Sequence, residues 1–236
     1  MIKDTPEVRL SKTISWLLRH GAKSEGLAMR TDGCVKVEDL LANPKIKSQN
    51  VDFARLQAIV TADAKQRYAL LSEPAAEEEG RAEETWWIKA NQGHSITTVE
   101  VEMKSILSIK DIPSACAVHG TSMAAWKSIA IQGLSKMKRN HIHLAQGVSD
   151  DNVISGMRRS SQVFIYVDVQ KAIDAGIKFF LSDNGVVLTS GDETGFLKPE
   201  YFDRVVTAKN EVLLERSTTS DNVVQPIVQG TSEISI

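Results

Sequence analysis

The chain has 236 residues, of which 42% are hydrophobic and 25% charged, and a formal net charge of −2. That composition belongs to a protein that folds in water as one large or two small domains, and it excludes a disordered chain, a collagen-like chain or a coiled-coil rod. No apolar run approaches the ~20 residues that span a bilayer, and Met1-Ile2-Lys3-Asp4 lacks the apolar core of a secretory signal, so an intracellular protein of cytoplasm or nucleus with no membrane partner is expected. Cys34 and Cys116 stand far apart without a CxxC or Cys/His pattern, which removes disulfide scaffolds and zinc fingers and leaves two reduced thiols. The near-neutral charge conceals a local imbalance. Residues 73–84 (EPAAEEEGRAEE) hold six acids and one base, whereas residues 1–72 hold 12 bases against 8 acids, so the first third is mildly basic once this solvated loop is set aside.

In chain order, Thr5-Pro6-Glu7 reads as a helix start, with a hydroxyl cap, proline at the first helical position and an early acid for the dipole. Leu10, Ile14, Leu17 and Leu18 follow the spacing of one apolar helix face, and Gly21 is expected to stop that helix just after Arg19-His20. Apolar pairs at Val35/Val37 and Leu40/Leu41 precede a second helix, expected to be capped by Asn50 and to carry Phe53, Leu56, Ile59 and Val60. Strand-like segments at 67–71 and 85–90 follow, joined by the acidic loop, and helices followed by a hairpin suggest a winged-helix lobe. From Ile96 onward short strands with turn signals dominate. Met123 to Ile131 reads as a helix ended by Gly133, Val163 to Val169 as a half-buried strand, and Asp183-Asn184-Gly185 as a turn into Val186-Val187-Leu188. After Arg216 a Ser/Thr-rich tail, residues 217–236, is expected to be poorly ordered.

Several segments carry chemistry, each with a plainer alternative. Arg19-His20 in a last helical turn satisfies the helix dipole whether or not it does more. Arg67 could be an exposed strand residue opposite Tyr68. Asn91-Gln92-Gly93-His94-Ser95 crowds hydrogen-bonding groups between the two lobes, where ligand sites form, though a turn would look similar. His119-Gly120-Thr121 is expected to follow a strand and open a helix, a geometry suited to an anion or a carboxamide. His141 and His143 share a strand face at a spacing metals can use, but no third ligand is evident, so hydrogen bonding is favoured and no metal is expected. Ile154-Ser155-Gly156-Met157-Arg158 is a small-residue segment with an arginine, equally readable as a turn beside a surface charge. The lack of GxGxxG and of a P-loop argues against a Rossmann domain or an NTPase.

In order, SKTISWLLRHGA, TDGCVKVEDLL, KQRYAL, KANQGHS, HGT, GLSKMKRNHIHLA, VISGMRRSSQVFIYVD and LSDNGVVLTSG resemble the signature blocks of the NAD-dependent tRNA 2′-phosphotransferases, over about residues 10–206. The resemblance implies an α+β protein with a winged-helix, RNA-binding lobe at residues 1–95 and an ADP-ribosyltransferase-like, NAD-binding lobe at 96–216. It implies a catalytic set of Arg19, His20, Arg67 and Arg139. NAD, consumed as co-substrate, would meet His119, Gly120, Thr121, Arg139, His143, Ser155 and Gly156. A 2′-phosphorylated tRNA would meet Lys65, Gln92, His94 and Ser95, and the protein is expected to act as a monomer. Lys89 stands where the family commonly has arginine. The implied reaction passes through RNA bearing ADP-ribose on its 2′-phosphate, and yields 2′-hydroxyl RNA, nicotinamide and ADP-ribose 1″,2″-cyclic phosphate. Two other readings remain open at this level. One is a non-catalytic winged-helix nucleic-acid binder, and the other is an ADP-ribosyltransferase acting on protein or terminal phosphates, which would need a carboxylate such as Glu193.

Overall fold

A computed structural model of the chain describes residues 4–74, 84–148, 156–158 and 160–216. The expected tail at 217–236, the middle of the acidic loop and Ser155 lie outside the described residues. The protein is α+β, and its buried apolar residues form two separate cores.

The first core is built on α1 (Pro6–Trp16), where Thr5 Oγ1 accepts the Val8 N–H and Pro6 takes the first helical position, as the sequence anticipates. Leu10, Ile14, Leu17 and Leu18 are all fully buried. Gly21 does not end the helix in a left-handed turn. Instead α1 runs into one π-helical turn, Leu17–Gly21, because its buried stripe continues through Leu17 and Leu18 while the wider turn swings Arg19 and His20 off that stripe. β1 (Val35–Lys36), α2 (Val37–Ala42), α3 (Pro44–Lys47) and α4 (Phe53–Thr61) follow. The cap of α4 is Asp52, whose carboxylate accepts the Arg55 N–H, and not Asn50, which sits two residues too early in a left-handed conformation (φ +51°). β2 (Tyr68–Pro74) and β3 (Glu84–Ala90) pair antiparallel over their whole length, and β1 joins β3 on the other side.

The second core lies between antiparallel sheets of short strands: β4 (Lys104–Ile106), β5 (Val118–Thr121), β6 (Leu134–Ser135) and β7 (Ile142–Leu144), with α5 (Met123–Gln132) after β5. Then come β8 (Val163–Val167), α6 (Val169–Asp174), β9 (Phe179–Leu181), β10 (Val187–Thr189), β11 (Phe196–Leu197), β12 (Phe202–Thr207) and β13 (Val212–Glu215). One four-stranded sheet runs β4-β9-β10-β7 and the other β13-β12-β8-β5. They meet where Val118 and Ala145 exchange backbone hydrogen bonds of 2.8 Å, beside β5 and β7. β8 alternates as expected, with Val163, Ile165 and Val167 inward, but it stops at Val167. Val169 starts α6, because Asp168 caps the Lys171 N–H. His119, Gly120 and Thr121 lie inside β5 and do not open the helix, a role taken by Ser122, whose hydroxyl accepts the Ala125 N–H. Gly133 ends α5 at φ +94°, where a Cβ would sit 2.4 Å from the Leu197 carbonyl oxygen, so only glycine fits.

Among the described residues no helix is long and apolar enough to cross a membrane. Leu18→Ala should cost about 2–5 kcal/mol of stability, read as a shift in the urea midpoint, because it opens a cavity in the first core directly beneath Arg19. A shift under about 1 kcal/mol would contradict that packing.

Candidate active site

The π turn places Arg19 and His20 against the segment that follows β3. The Arg19 carbonyl accepts the Ser95 N–H at 3.0 Å, and His20 Nδ1 lies 2.9 Å from Ser95 Oγ. Gly93 makes this approach possible: its φ is +90°, and a Cβ there would lie 3.3 Å from Arg19 Nε. Arg67 comes in from the turn before β2. Its N–H donates to Asp63 Oδ2 at 2.6 Å, and its guanidinium pairs with Asp63 Oδ1. Arg139 arrives from the second core, on the loop into β7. That loop is fastened to the first half of the chain by Asn140, whose N–H donates to the His94 carbonyl at 2.9 Å and whose Nδ2 donates to the Ile96 carbonyl at 3.2 Å.

These residues wall two joined cavities. The smaller, about 220 Å³, is lined by Arg19, Lys65, Arg67, Gln92, Arg139 and Arg158, together with His143, Gly156, Met157 and Asn184, and among the described residues no acidic side chain is in its wall. The larger, about 960 Å³, is lined by His20, Ser95, His119, Gly120, Arg139, His141, His143, Gly156, Arg158 and residues of α5 and the loop after it. Arg139, His143, Gly156 and Arg158 belong to both walls. Nε and Nη2 of Arg19 and Nε2 of His143 are buried without a hydrogen-bond partner among the described residues. Buried donors of this kind are costly unless a ligand meets them. His119 Nδ1 lies 3.0 Å from the His143 carbonyl, which can only accept, so that nitrogen carries the hydrogen and Nε2 is left as an acceptor.

Charge in the site is held under tension. Burial lowers the pKa of Arg19 to about 10, and repulsion from Arg139 and Arg67 adds to it. Partial desolvation in the cleft also lowers His20, helped by Arg139 and Arg19, and lowers Arg139, helped by Arg158, although both side chains remain open to solvent. His143, almost wholly enclosed, is driven well below its ordinary value for the same reasons. A multiply charged anion would relieve all four.

Of the residues singled out from sequence, Arg19, His20, Arg67, Arg139, His119, Gly120, His143, Gly156, Lys65, Gln92 and Ser95 line one or both cavities. Thr121 lines neither, being at the far end of β5, where its carbonyl accepts the Gln162 N–H. His94 is only 3% exposed and also lines neither, lying below the site against Gly33. Glu193 is exposed in a turn and faces neither cavity, and Lys89 forms an ion pair with Asp183 at 3.6 Å. The sequence marked Arg158 and Asn91 only as members of small-residue and donor-rich segments and Asn184 only as a turn residue, and it gave no sign of Asp63, because their roles depend on backbone partners distant in sequence or on a tight turn. Among the described residues no group of three or more His, Cys, Asp or Glu could hold a metal ion.

Fold and cavities together define an α+β protein in which four guanidinium groups, of which Arg67 is paired with Asp63, gather beside a cavity large enough for a dinucleotide. The family model described as RNA 2′-phosphotransferase, Tpt1/KptA family, matches residues 5–191, and the chain belongs to that family. It is 46% identical over 209 residues to tRNA 2′-phosphotransferase 1 of Danio rerio, covering 88% of each chain. It is 40% identical over 198 residues to tRNA 2′-phosphotransferase 1 of Homo sapiens, covering 83% of this chain and 74% of that one. It is 34% identical over 194 residues to the tRNA 2′-phosphotransferase of Saccharomyces cerevisiae, covering 80% of each.

Burial lowers the His94 pKa to about 4, with Arg19 and His20 adding repulsion, so the ring is neutral in the folded protein at pH 7. A folded value below the unfolded ~6.5 means that its contribution to stability is complete above pH ~6.5 and is lost as pH falls towards 4, roughly 3 kcal/mol in all. Urea midpoints at successive pH values should therefore show wild type approaching His94→Gln as pH falls through this window. A constant gap between the two proteins would contradict a buried neutral His94.

Proposed function

We propose that the protein removes the 2′-phosphate left at an RNA splice junction by transferring it to NAD, giving 2′-hydroxyl RNA, nicotinamide and ADP-ribose 1″,2″-cyclic phosphate. The observation that carries this reading is the small cavity walled by four arginines and a lysine, with no acid in its wall among the described residues, which shares Arg139, His143, Gly156 and Arg158 with a cavity large enough for a dinucleotide. Family membership supports the phosphate chemistry. In this reading residues 1–95 act as a winged-helix RNA-binding lobe and residues 96–216 as an ADP-ribosyltransferase-like lobe. The helices packed on a three-stranded sheet and the paired antiparallel sheets are compatible with those assignments.

NAD is assigned to the larger cavity. Its walls suit such a co-substrate in size, and they offer the unpartnered His143 Nε2 together with His119, Gly120, Gly156 and Arg139. RNA is assigned to the rim formed by Lys65, Gln92 and Ser95, with His94 supporting from beneath. Arg19, Arg67 and Arg139 clamp the 2′-phosphate, and their fixed positions hold one of its oxygens in line with the nicotinamide-bearing ribose carbon as the glycosidic bond breaks. The ribose 2″-oxygen then attacks phosphorus, and the RNA 2′-oxygen leaves. The same guanidinium groups meet the charge that builds on the equatorial oxygens. His20, held by Ser95, gives the proton that the departing oxygen requires. A phosphate dianion beside Arg19 and Arg139 offsets the repulsion that lowers His20, returning the ring to the range where it can be protonated.

With positive charge supplied by arginines, an excess of chelator should leave turnover unchanged. Loss of activity on chelation with rescue by magnesium would contradict that. Arg67→Ala and Arg139→Ala should each slow turnover about 10²–10³-fold at saturating substrates. For Arg139, an exposed residue, melting should hardly move. The decisive experiment is His20→Ala with NAD and a radiolabelled 2′-phosphorylated RNA. Nicotinamide should still be released, and an RNA bearing ADP-ribose on its 2′-phosphate should accumulate as a slower band on electrophoresis. A protein that binds both substrates yet releases no nicotinamide would move His20 to the first step.

A further inference from the structure

The turn that delivers Arg67 is held from both cores. Gln66 adopts φ +45°, a left-handed conformation that costs a residue other than glycine of order 1–3 kcal/mol and persists only where its surroundings enforce it. Within the turn, the Gln66 N–H donates to the Asp63 carbonyl at 2.7 Å, and Asp63, whose side chain is 7% exposed, takes the Arg67 N–H and guanidinium. From the first core, Asn91 Nδ2 donates to the Gln66 carbonyl at 2.7 Å, and the Asn91 N–H donates to the Arg67 carbonyl at 2.9 Å.

Further contacts cross the cleft, among them one from the Lys65 ammonium, which donates to the Met157 carbonyl at 2.6 Å. Asn184, in the turn between β9 and β10, donates through Nδ2 to the Lys65 carbonyl at 3.0 Å. The residue is only 9% exposed, and its amide is oriented by Ser182, whose Oγ lies 2.9 Å from Asn184 Oδ1. Ser182 is itself tied to Val186 through both backbone and side chain. The same turn is drawn to β3 by the ion pair of Asp183 with Lys89. Two asparagines, one from each core, therefore donate to the successive carbonyls of Lys65 and Gln66, immediately before Arg67.

We propose that Asn184 is a positioning residue for phosphate transfer: its amide reaches across the cleft to the Lys65 carbonyl and, with Asn91 on the Gln66 carbonyl, sets the Arg67 guanidinium against the substrate phosphate. The inference rests on the reading of the small cavity as the 2′-phosphate site. It makes the phosphate clamp of the first core dependent on a hairpin of the second, so that Arg67 is aimed only when the β9–β10 turn, which supplies Asn184 to the wall of the smaller cavity, is in place.

A double-mutant cycle with Arg67 tests it, because a residue that acts through Arg67 loses its effect once Arg67 is gone. With NAD and a 2′-phosphorylated RNA, Asn184→Ala should lower kcat about tenfold and leave KM for NAD within about twofold, since small misplacements of a clamp act on the transition state. In an Arg67→Ala background the same change should lower kcat less than about twofold. Equal losses in both backgrounds, or no loss in either, would overturn the proposal. Asn184→Ser, suited to the turn but too short to reach Lys65, serves if the alanine protein does not fold. A second readout needs no turnover. The Arg67 Nε–H resonance, identified by its disappearance in Arg67→Ala, should shift or broaden in the Asn184 variant, and an unchanged line would contradict positioning. If wild type itself consumes no NAD with the phosphorylated RNA, the functional reading fails while this resonance still decides the role of Asn184.

Discussion

Arg19 is a cation placed where a cation is expensive. Two of its guanidinium nitrogens are buried with no partner among the described residues, and its nearest charged neighbours include two further arginines. A buried charge without a counter-charge is normally removed by folding or by selection, because desolvation alone costs several kcal/mol. Here the protein keeps it, and surrounding structure is built to do so. Leu17 and Leu18 anchor the preceding turn in the first core, the π-helical widening rotates Arg19 off that apolar face, and Gly93 yields the space beside Nε. The free energy held in that cluster is available to whatever anion neutralises it.

The rest of the architecture brings the second half of the chain to that point. The two four-stranded sheets join at β5 and β7, so the seam that carries His119 and His143 opens directly onto the arginines. Asn140 secures the Arg139 loop to backbone on either side of Ser95, and Ser95 holds both Arg19 and His20. The hydrogen bonds that cross the cleft are therefore the same ones that orient the catalytic candidates. A polar seam of this kind couples the geometry of one core to the other without requiring a large shared apolar interface.

Elements governed by local rules were legible in the sequence. The Thr5-Pro6 start of α1, its buried stripe, the hairpin of β2 and β3, the Gly133 stop and the alternation of β8 each follow from residues within a few positions. Misreadings arose where two local signals competed. Asn50 and Asp52 are both acceptable caps, and only the chain path selects Asp52. Gly21 does end the helical run, but as the last residue of a π-helical turn and not as a left-handed cap, because Leu17 and Leu18 extend the buried stripe. The arginines and His20 were legible through the resemblance of ordered motifs, since no local pattern distinguishes Arg67 from a surface strand residue. The roles of Asp63, Asn91 and Asn184 were not legible, because each acts on backbone or a neighbouring charge that only the folded chain brings within reach.

The central claim is that the guanidinium cluster, with a single carboxylate, Asp63, set against it among the described residues, exists to hold the 2′-phosphate of an RNA. Calorimetric titration of the protein, without NAD, with one short RNA carrying or lacking a single internal 2′-phosphate tests it most directly. The phosphate should tighten binding by ~10-fold or more, the order expected of charge-assisted hydrogen bonds, and Arg19→Gln should lose most of that gain while binding the unphosphorylated RNA as before. Equal affinity of the wild-type protein for the two RNAs would contradict the account.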